Sequence, residues 1–332
     1  MEGGMLSFAE QAGRYFDRPH EAIPPGPVGG PAAWRVDELS AGGDWLERLS
    51  ADEIAEIERA ASAAASRGLV PGVVRREDFA LPSLAPRLRE WARELRDGRG
   101  FVVLRGLPVE RWGDELSALA YWGLGLHLGV PGAQNPAGDV LGHVIDTGED
   151  TANPFVRRYR TAGDIAWHCD LADVVGLLCL RTALRGGASW VASSVAVHDE
   201  LLRRRPDLAR RLWEPVALDL RDETRAGAGW IPVVPCRSAG GRLRTFWHSD
   251  YFRSAERHAG APVGPVEREL FDAFDGIASE PGFAFDMEFE RGDVQLVSNH
   301  VVVHARTAYE DGPGRERHLL RLWLTLEEPD RA

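Results

Sequence analysis

Residues 292–326 read GDVQLVSNHVVVHARTAYEDGPGRERHLLRLWLTL, and the fold class turns on them. They hold three apolar runs, 293–298, 301–306 and 318–326, broken by Asn299-His300 and by Gly312-Pro313-Gly314. Short runs of this kind bounded by turn residues predict strands. The same pattern extends upstream through FVRRYRT (155–161), IAWHCDL (165–171), VVGLLCLRTA (174–183), SWVAS (189–193), PVALDL (215–220), IPVVPC (231–236), LRTFWHS (243–249) and FAFDMEF (283–289). Two helical inserts, 194–213 and 266–279, interrupt it. Many short strands joined by turns predict a sandwich or barrel of jelly-roll type and not a parallel α/β sheet.

The amino-terminal part reads differently. Residues 1–43 are rich in Gly and Pro (IPPGPVGGPAAW, 23–34), which predicts an irregular arm. Ser50 and Glu53 then form a capping-box pattern ahead of ADEIAEIERAASAAASR, with Gly68 as the stop. LAPRLREWARELRD (84–97) reads as a second helix, GFVVLRG (100–106) as a buried strand, and DELSALAYWGLGLHLG (114–129) as a third helix. The expected organisation is an irregular arm over 1–43 and one catalytic domain over 44–332. Within it a helical layer (44–130) packs on a β core (131–332). The fold class is α+β with a mainly β core.

Composition closes several doors. There are 39 basic residues against 51 acidic ones, a net charge of −12, so neither a nucleic-acid surface nor a polybasic membrane surface is expected. All the basic residues are arginine, which removes Walker-loop, kinase, pyridoxal and Schiff-base chemistry, since each needs a lysine. Three scattered cysteines (Cys169, Cys179, Cys236) make no disulfide framework and fit a reducing cytoplasm. No apolar stretch reaches the roughly 20 residues of a membrane span, and no export signal is legible. A cytoplasmic protein acting on a small molecule is the expectation.

The chemistry-bearing residues are histidines. Three His-x-acid pairs occur, at His168/Asp170, His198/Glu200 and His248/Asp250. Chance alone would supply about one or two, so the motif is weak by itself. On a strand, residues i and i+2 face the same side and can converge on an ion; on a helix they diverge. His198 lies in a helical insert and reads as a polar surface residue. His168/Asp170 and His248/Asp250 both lie in strand-like segments and remain rivals. His304, within the β-branched run VVVHAR, is costly to bury without a partner. Two histidines and a carboxylate on facing strands form the triad that holds non-haem Fe(II) with positions left open, although zinc hydrolases use similar ligands. Downstream, Arg317 and Arg321 share one side of an apolar strand, where a guanidinium requires an anion, most simply a bidentate carboxylate. A metal-dependent hydrolase or isomerase, and a non-catalytic binding protein, are the alternatives.

Taken in order, GRGFVVLRGLPV (98–109 region), QNPAGDVLGHV, WHCD, GLLCLRTALRGGAS, SSVAVHDELLRRRPDL, GDVQLVSNHVVVHARTAYED and RHLLRLWL resemble the TauD/TfdA branch of Fe(II)- and 2-oxoglutarate-dependent dioxygenases and the related clavaminate-synthase-like enzymes. The resemblance implies a double-stranded β-helix (a jelly roll, cupin-like) with flanking helices. It implies Fe(II), 2-oxoglutarate and O2 as reaction partners, with His168, Asp170 and His304 as iron ligands. Ser189 and Arg317 would hold the distal carboxylate of 2-oxoglutarate. Arg321 would hold an anionic group of the substrate, with Gln134 and Asn135 as polar substrate contacts and Trp247 and Tyr251 shaping the pocket. It also demotes His248/Asp250. The intact Asp170 argues against halogenation, since family halogenases carry a small residue there. The implied reaction is oxidation, most simply hydroxylation, of an unactivated C–H bond in an amino acid, carboxylate or sulfonate. Relatives commonly self-associate, so a homo-oligomer is a further expectation.

Overall fold

Along Phe101–Arg105 alternate side chains enter different cores, the period-2 behaviour of a strand buried on both faces. Phe101 and Val103 join one apolar cluster, Val102 and Leu104 another. The same division runs through Val294–Ser298, Val174–Arg181 and His318–Thr325: Leu320, Leu322 and Leu324 face one way, Trp323 the other. These strands build the larger sheet of a computed structural model that describes residues 5–17, 20–149, 156–221 and 229–326.

The larger sheet runs in the order Leu46–Arg48, Phe101–Arg105, Val294–Ser298, Val174–Arg181 and His318–Thr325. The last of these also pairs with Val130–Gly132 and Leu141–Val144. Only the first pair is parallel. One face packs on the helices Ala51–Ser66, Ala85–Asp97 and Val109–Leu128 through Ile57, Ala61, Leu88, Trp91, Leu119 and Trp122. The other turns toward a smaller antiparallel sheet ordered Phe285–Met287, Ser189–Ser193, Val302–Arg306 and Ile165–His168. Two facing sheets with helices outside make a double-stranded β-helix, as the strand pattern predicts. The capping box at Ser50 and Glu53 is present and starts its helix where expected.

Four readings are corrected. Residues 1–43 hold two helices, Phe8–Phe16 and Val36–Gly42, the first begun by a capping box of Ser7 and Glu10. The first helix is pinned across the chain: Tyr15 Oη donates to the carbonyls of Thr245 and Asn299 at 3.0 and 2.9 Å, and Phe8 stacks on Trp323. The segment 44–130 is not purely a helical layer: besides Phe101–Arg105, a buried strand as expected, Leu46–Arg48 is also a strand of the main sheet. The run 155–161 is no strand; Arg158–Arg160 is a single 3-10 turn, and Phe155 lies outside the described residues. His198 is 2% exposed, not a surface residue: its ring packs edge-on against Trp213 and bonds Asp199, which also accepts from the N–H groups of Val28 and Gly29. No helix among the described residues is long and apolar enough to cross a membrane.

Candidate active site

Strand pairing brings the two distant histidines together. His304 and His168 are direct partners on adjacent antiparallel strands, with ring centroids 4.1 Å apart. Such register pairs share a face, which is why the 135 residues of intervening chain become irrelevant to their separation. Asp170 follows the end of its strand and is buried. Its backbone N–H donates to Asn299 Oδ1 at 2.9 Å, while Asn299 Nδ2 donates to the Ala172 carbonyl, so one buried amide holds the turn that presents the carboxylate. One ligand atom from each of His168, Asp170 and His304 falls within 4.8 Å of the other two. Asp170 Oδ2 stands 3.8 Å from His304 Nε2. His168 Nδ1 contacts the Ala166 carbonyl at 2.9 Å, which fixes the proton there and leaves Nε2 as a lone-pair donor.

The electrostatics suit a cation. Burial, reinforced by His168, pushes His304 down to about 3, so its imidazole is neutral and able to ligate. Burial opposes ionisation of Asp170, but Arg321, His304 and His168 together outweigh it and hold the carboxyl below its ordinary range. Two imidazoles and one carboxylate, converging in a buried space, are a donor set for a divalent ion with sites to spare. The residues therefore fit Fe(II).

Beyond the triad the cavity divides in two. An inner chamber, reaching from the triad to Ser189, Arg306 and Arg317, is walled by Val144, Val175, Leu177, Phe289 and Leu319. Arg317 is 5% exposed; one terminal nitrogen reaches the Gly187 carbonyl at 3.5 Å, and the other has no hydrogen-bond partner among the described residues. Gly187 has φ +74, and a Cβ there would stand 2.9 Å from Arg317 Nε, so the glycine of RGGAS makes the room this guanidinium occupies. Ser189 Oγ donates to Gln295 at 3.1 Å. The outer chamber is lined by Phe8, Arg157, Arg158, Tyr159, Leu171 and Tyr251. Arg321 borders both chambers. Its Nε donates to Gln134 at 2.7 Å, one of its terminal nitrogens lies 3.4 Å from Asp170, and its plane lies over Tyr159.

Several expected contacts lie elsewhere. Trp247 is fully buried, stacked on Phe274 at 3.9 Å and bonded to Asp275, so it belongs to the core and not to the pocket. Asn135 bonds to Asp139 in its own turn. Gln134 does not line the cavity; it aims Arg321. Of the rival pair, Asp250 sits on the short helix Ser249–Ser254 near Arg158. His248 does border the outer chamber, its ring 5.3 Å from that of His168 and stacked on Tyr251. Sequence reasoning missed Tyr159, Phe8 and Arg306. For Arg306 the signal was present, two residues beyond His304 on the same strand face.

A facial set of two histidines and one carboxylate with open positions, on a jelly roll, defines a non-haem iron oxygenase that works with 2-oxoglutarate. The chain belongs to the taurine catabolism dioxygenase TauD, TfdA family, whose model matches residues 65–323. It is 32% identical to FR-33289 synthase of Streptomyces rubellomurinus over 308 residues, 91% of each chain. It is 27% identical to a taurine hydroxylase-like protein of Stachybotrys chartarum, over 92% of this chain and 82% of that one. In fold it resembles an asparagine oxygenase solved with Fe(II), 3-hydroxyasparagine and succinate (TM-score 0.65, 18% identity, 85% of this chain and 93% of that one). It also resembles the oxygenase OrfP solved with Fe and α-ketoglutaric acid (TM-score 0.62, 15% identity, 85% and 94%). Membership replaces the hydrolase and non-catalytic alternatives with an Fe(II)- and 2-oxoglutarate-dependent oxygenase.

Proposed function

We propose that this enzyme hydroxylates an unactivated C–H bond of a small anionic molecule, of the amino-acid, carboxylate or sulfonate type, with His168, Asp170 and His304 as the iron ligands. Bound there, Fe(II) would supply O2 activation coupled to conversion of 2-oxoglutarate to succinate and CO2. Arg317 and Ser189 hold the distal carboxylate of the co-substrate in the inner chamber. Arg321, aimed by Gln134, pairs with the substrate's anion at the boundary of the two chambers, which orients the reacting carbon toward the triad. Phe8, Leu171, Tyr159 and Tyr251 exclude water around it. The observation that carries the reading is the buried Arg317, in the same chamber as the triad, which keeps one terminal nitrogen without a hydrogen-bond partner among the described residues. Two fold relatives were solved with hydroxylated asparagine and hydroxylated arginine, which supports an amino-acid-like substrate.

The test is a panel of amino acids, other carboxylates and sulfonates incubated with Fe(II), 2-oxoglutarate and O2. Expected is one member that gains an oxygen atom with matching succinate release. Succinate formation with no panel member altered overturns the substrate class, and none at all under any condition overturns the chemistry.

A further inference from the structure

The strand Val302–Arg306 places two polar side chains on the cavity face, His304 and, two residues on, Arg306. Arg306 is 7% exposed. One terminal nitrogen donates to the carbonyls of Thr161, at 2.6 Å, and Gly163. Its Nε and its other terminal nitrogen have no hydrogen-bond partner among the described residues. Its cross-strand register partner is Ser189, so the two side chains are neighbours on one wall. Arg317 completes the group: both guanidiniums lie over the ring of Tyr309, their carbons 4.8 and 5.1 Å from its centroid. Neither makes a salt bridge among the described residues. Two buried cations in one chamber with open donors are costly unless an anion joins them.

We infer that Arg306 is a second co-substrate-binding residue, which together with Arg317 and Ser189 clamps the distal carboxylate of a 2-oxo diacid. This rests on the reading that 2-oxoglutarate occupies the inner chamber. The competing role is purely structural, a tether for the carbonyls of Thr161 and Gly163. The two roles differ in which ligand notices the change. A carboxylate clamp acts only on 2-oxo acids that carry the second carboxylate; a tether distorts the chamber for all of them.

The experiment is calorimetric titration of the Mn(II)-loaded protein with 2-oxoglutarate and with 2-oxobutanoate, which lacks the distal carboxylate. Wild type is compared with Arg306→Gln. Expected is a loss of about tenfold or more for 2-oxoglutarate, the size of a charge-assisted hydrogen bond, with 2-oxobutanoate changed less than about twofold. Equal weakening of both ligands, or of neither, overturns the inference. If the glutamine variant does not fold, Arg306→Lys keeps the charge without the fork. It is expected to weaken 2-oxoglutarate selectively by a smaller factor, and a uniform effect again overturns it. Failure of wild type to bind 2-oxoglutarate removes the underlying reading and this inference with it.

Discussion

Replacing Arg317 by alanine isolates the anchor of the co-substrate. This guanidinium is buried, makes no salt bridge among the described residues and keeps one terminal nitrogen without a hydrogen-bond partner among them. Its removal therefore breaks no ion pair of the fold. In the complex it would form a charge-assisted pair worth about 1.5–3 kcal/mol, so the variant should bind 2-oxoglutarate about tenfold to over a hundredfold more weakly. Ligand at 100 times the wild-type Kd stabilises the folded state by about 2.7 kcal/mol, whereas a hundredfold weaker binder gains only about 0.4 kcal/mol. For a large domain that difference amounts to roughly 5 °C in Tm. The assay is thermal unfolding of the Mn(II)-loaded protein with and without 2-oxoglutarate, where turnover is silent. An Arg317→Ala variant that keeps the full ligand-induced shift refutes the assignment.

Asp170→Ala and His304→Ala should each lower Mn(II) or Fe(II) affinity by more than about a hundredfold, since even outer-shell changes cost 10–100-fold; metal titration checks this, and wild-type affinity in either contradicts it. Gly187→Ala should destabilise the protein by about 1–2 kcal/mol through its positive φ and should also weaken 2-oxoglutarate by displacing Arg317; denaturation and calorimetry measure the two effects separately. His318 is held down to about 4 by burial and by Arg181 and His143, so the unfolded chain binds its proton more readily. Its contribution makes stability fall as pH drops from about 6.5 toward 4, and His318→Gln should shrink the difference between urea denaturation at pH 7 and pH 5. Trp247→Phe should cost stability through its lost bond to Asp275 yet leave the substrate KM unchanged, which steady-state kinetics would show.

The parts legible in the sequence are those governed by local period. Val302–Arg306 and Ile165–His168 announce themselves by β-branched runs, which places the two histidines on strands, whereas Asp170 lies just past its strand and is presented by a turn that Asn299 holds. Ser50 and Glu53 mark their helix because a capping box is complete within four consecutive residues. What escaped depends on partners remote in sequence. Whether Trp247 faces a pocket or Phe274 is decided by the helix Pro265–Ala278, which local pattern does not position. His198 looked solvated because its helix is amphipathic, yet its ring packs edge-on against Trp213 and bonds Asp199, on which the distant Val28 and Gly29 converge. Gln134 was legible as a polar residue near the site, but its task, holding Arg321 from 187 positions away, follows from strand pairing alone. The amino-terminal helix hid behind a glycine- and proline-rich stretch, though Ser7 and Glu10 carry the same capping signal that was read at Ser50.

The most direct test is anaerobic titration of the Fe(II)-loaded protein with 2-oxoglutarate, followed by visible absorption. Chelation of a ferrous ion by the 2-oxo acid should produce a weak charge-transfer band that saturates at one equivalent and is absent from His304→Ala. A wild-type protein that binds Fe(II) but never develops the band, or a His304→Ala variant that develops it unchanged, would contradict the account.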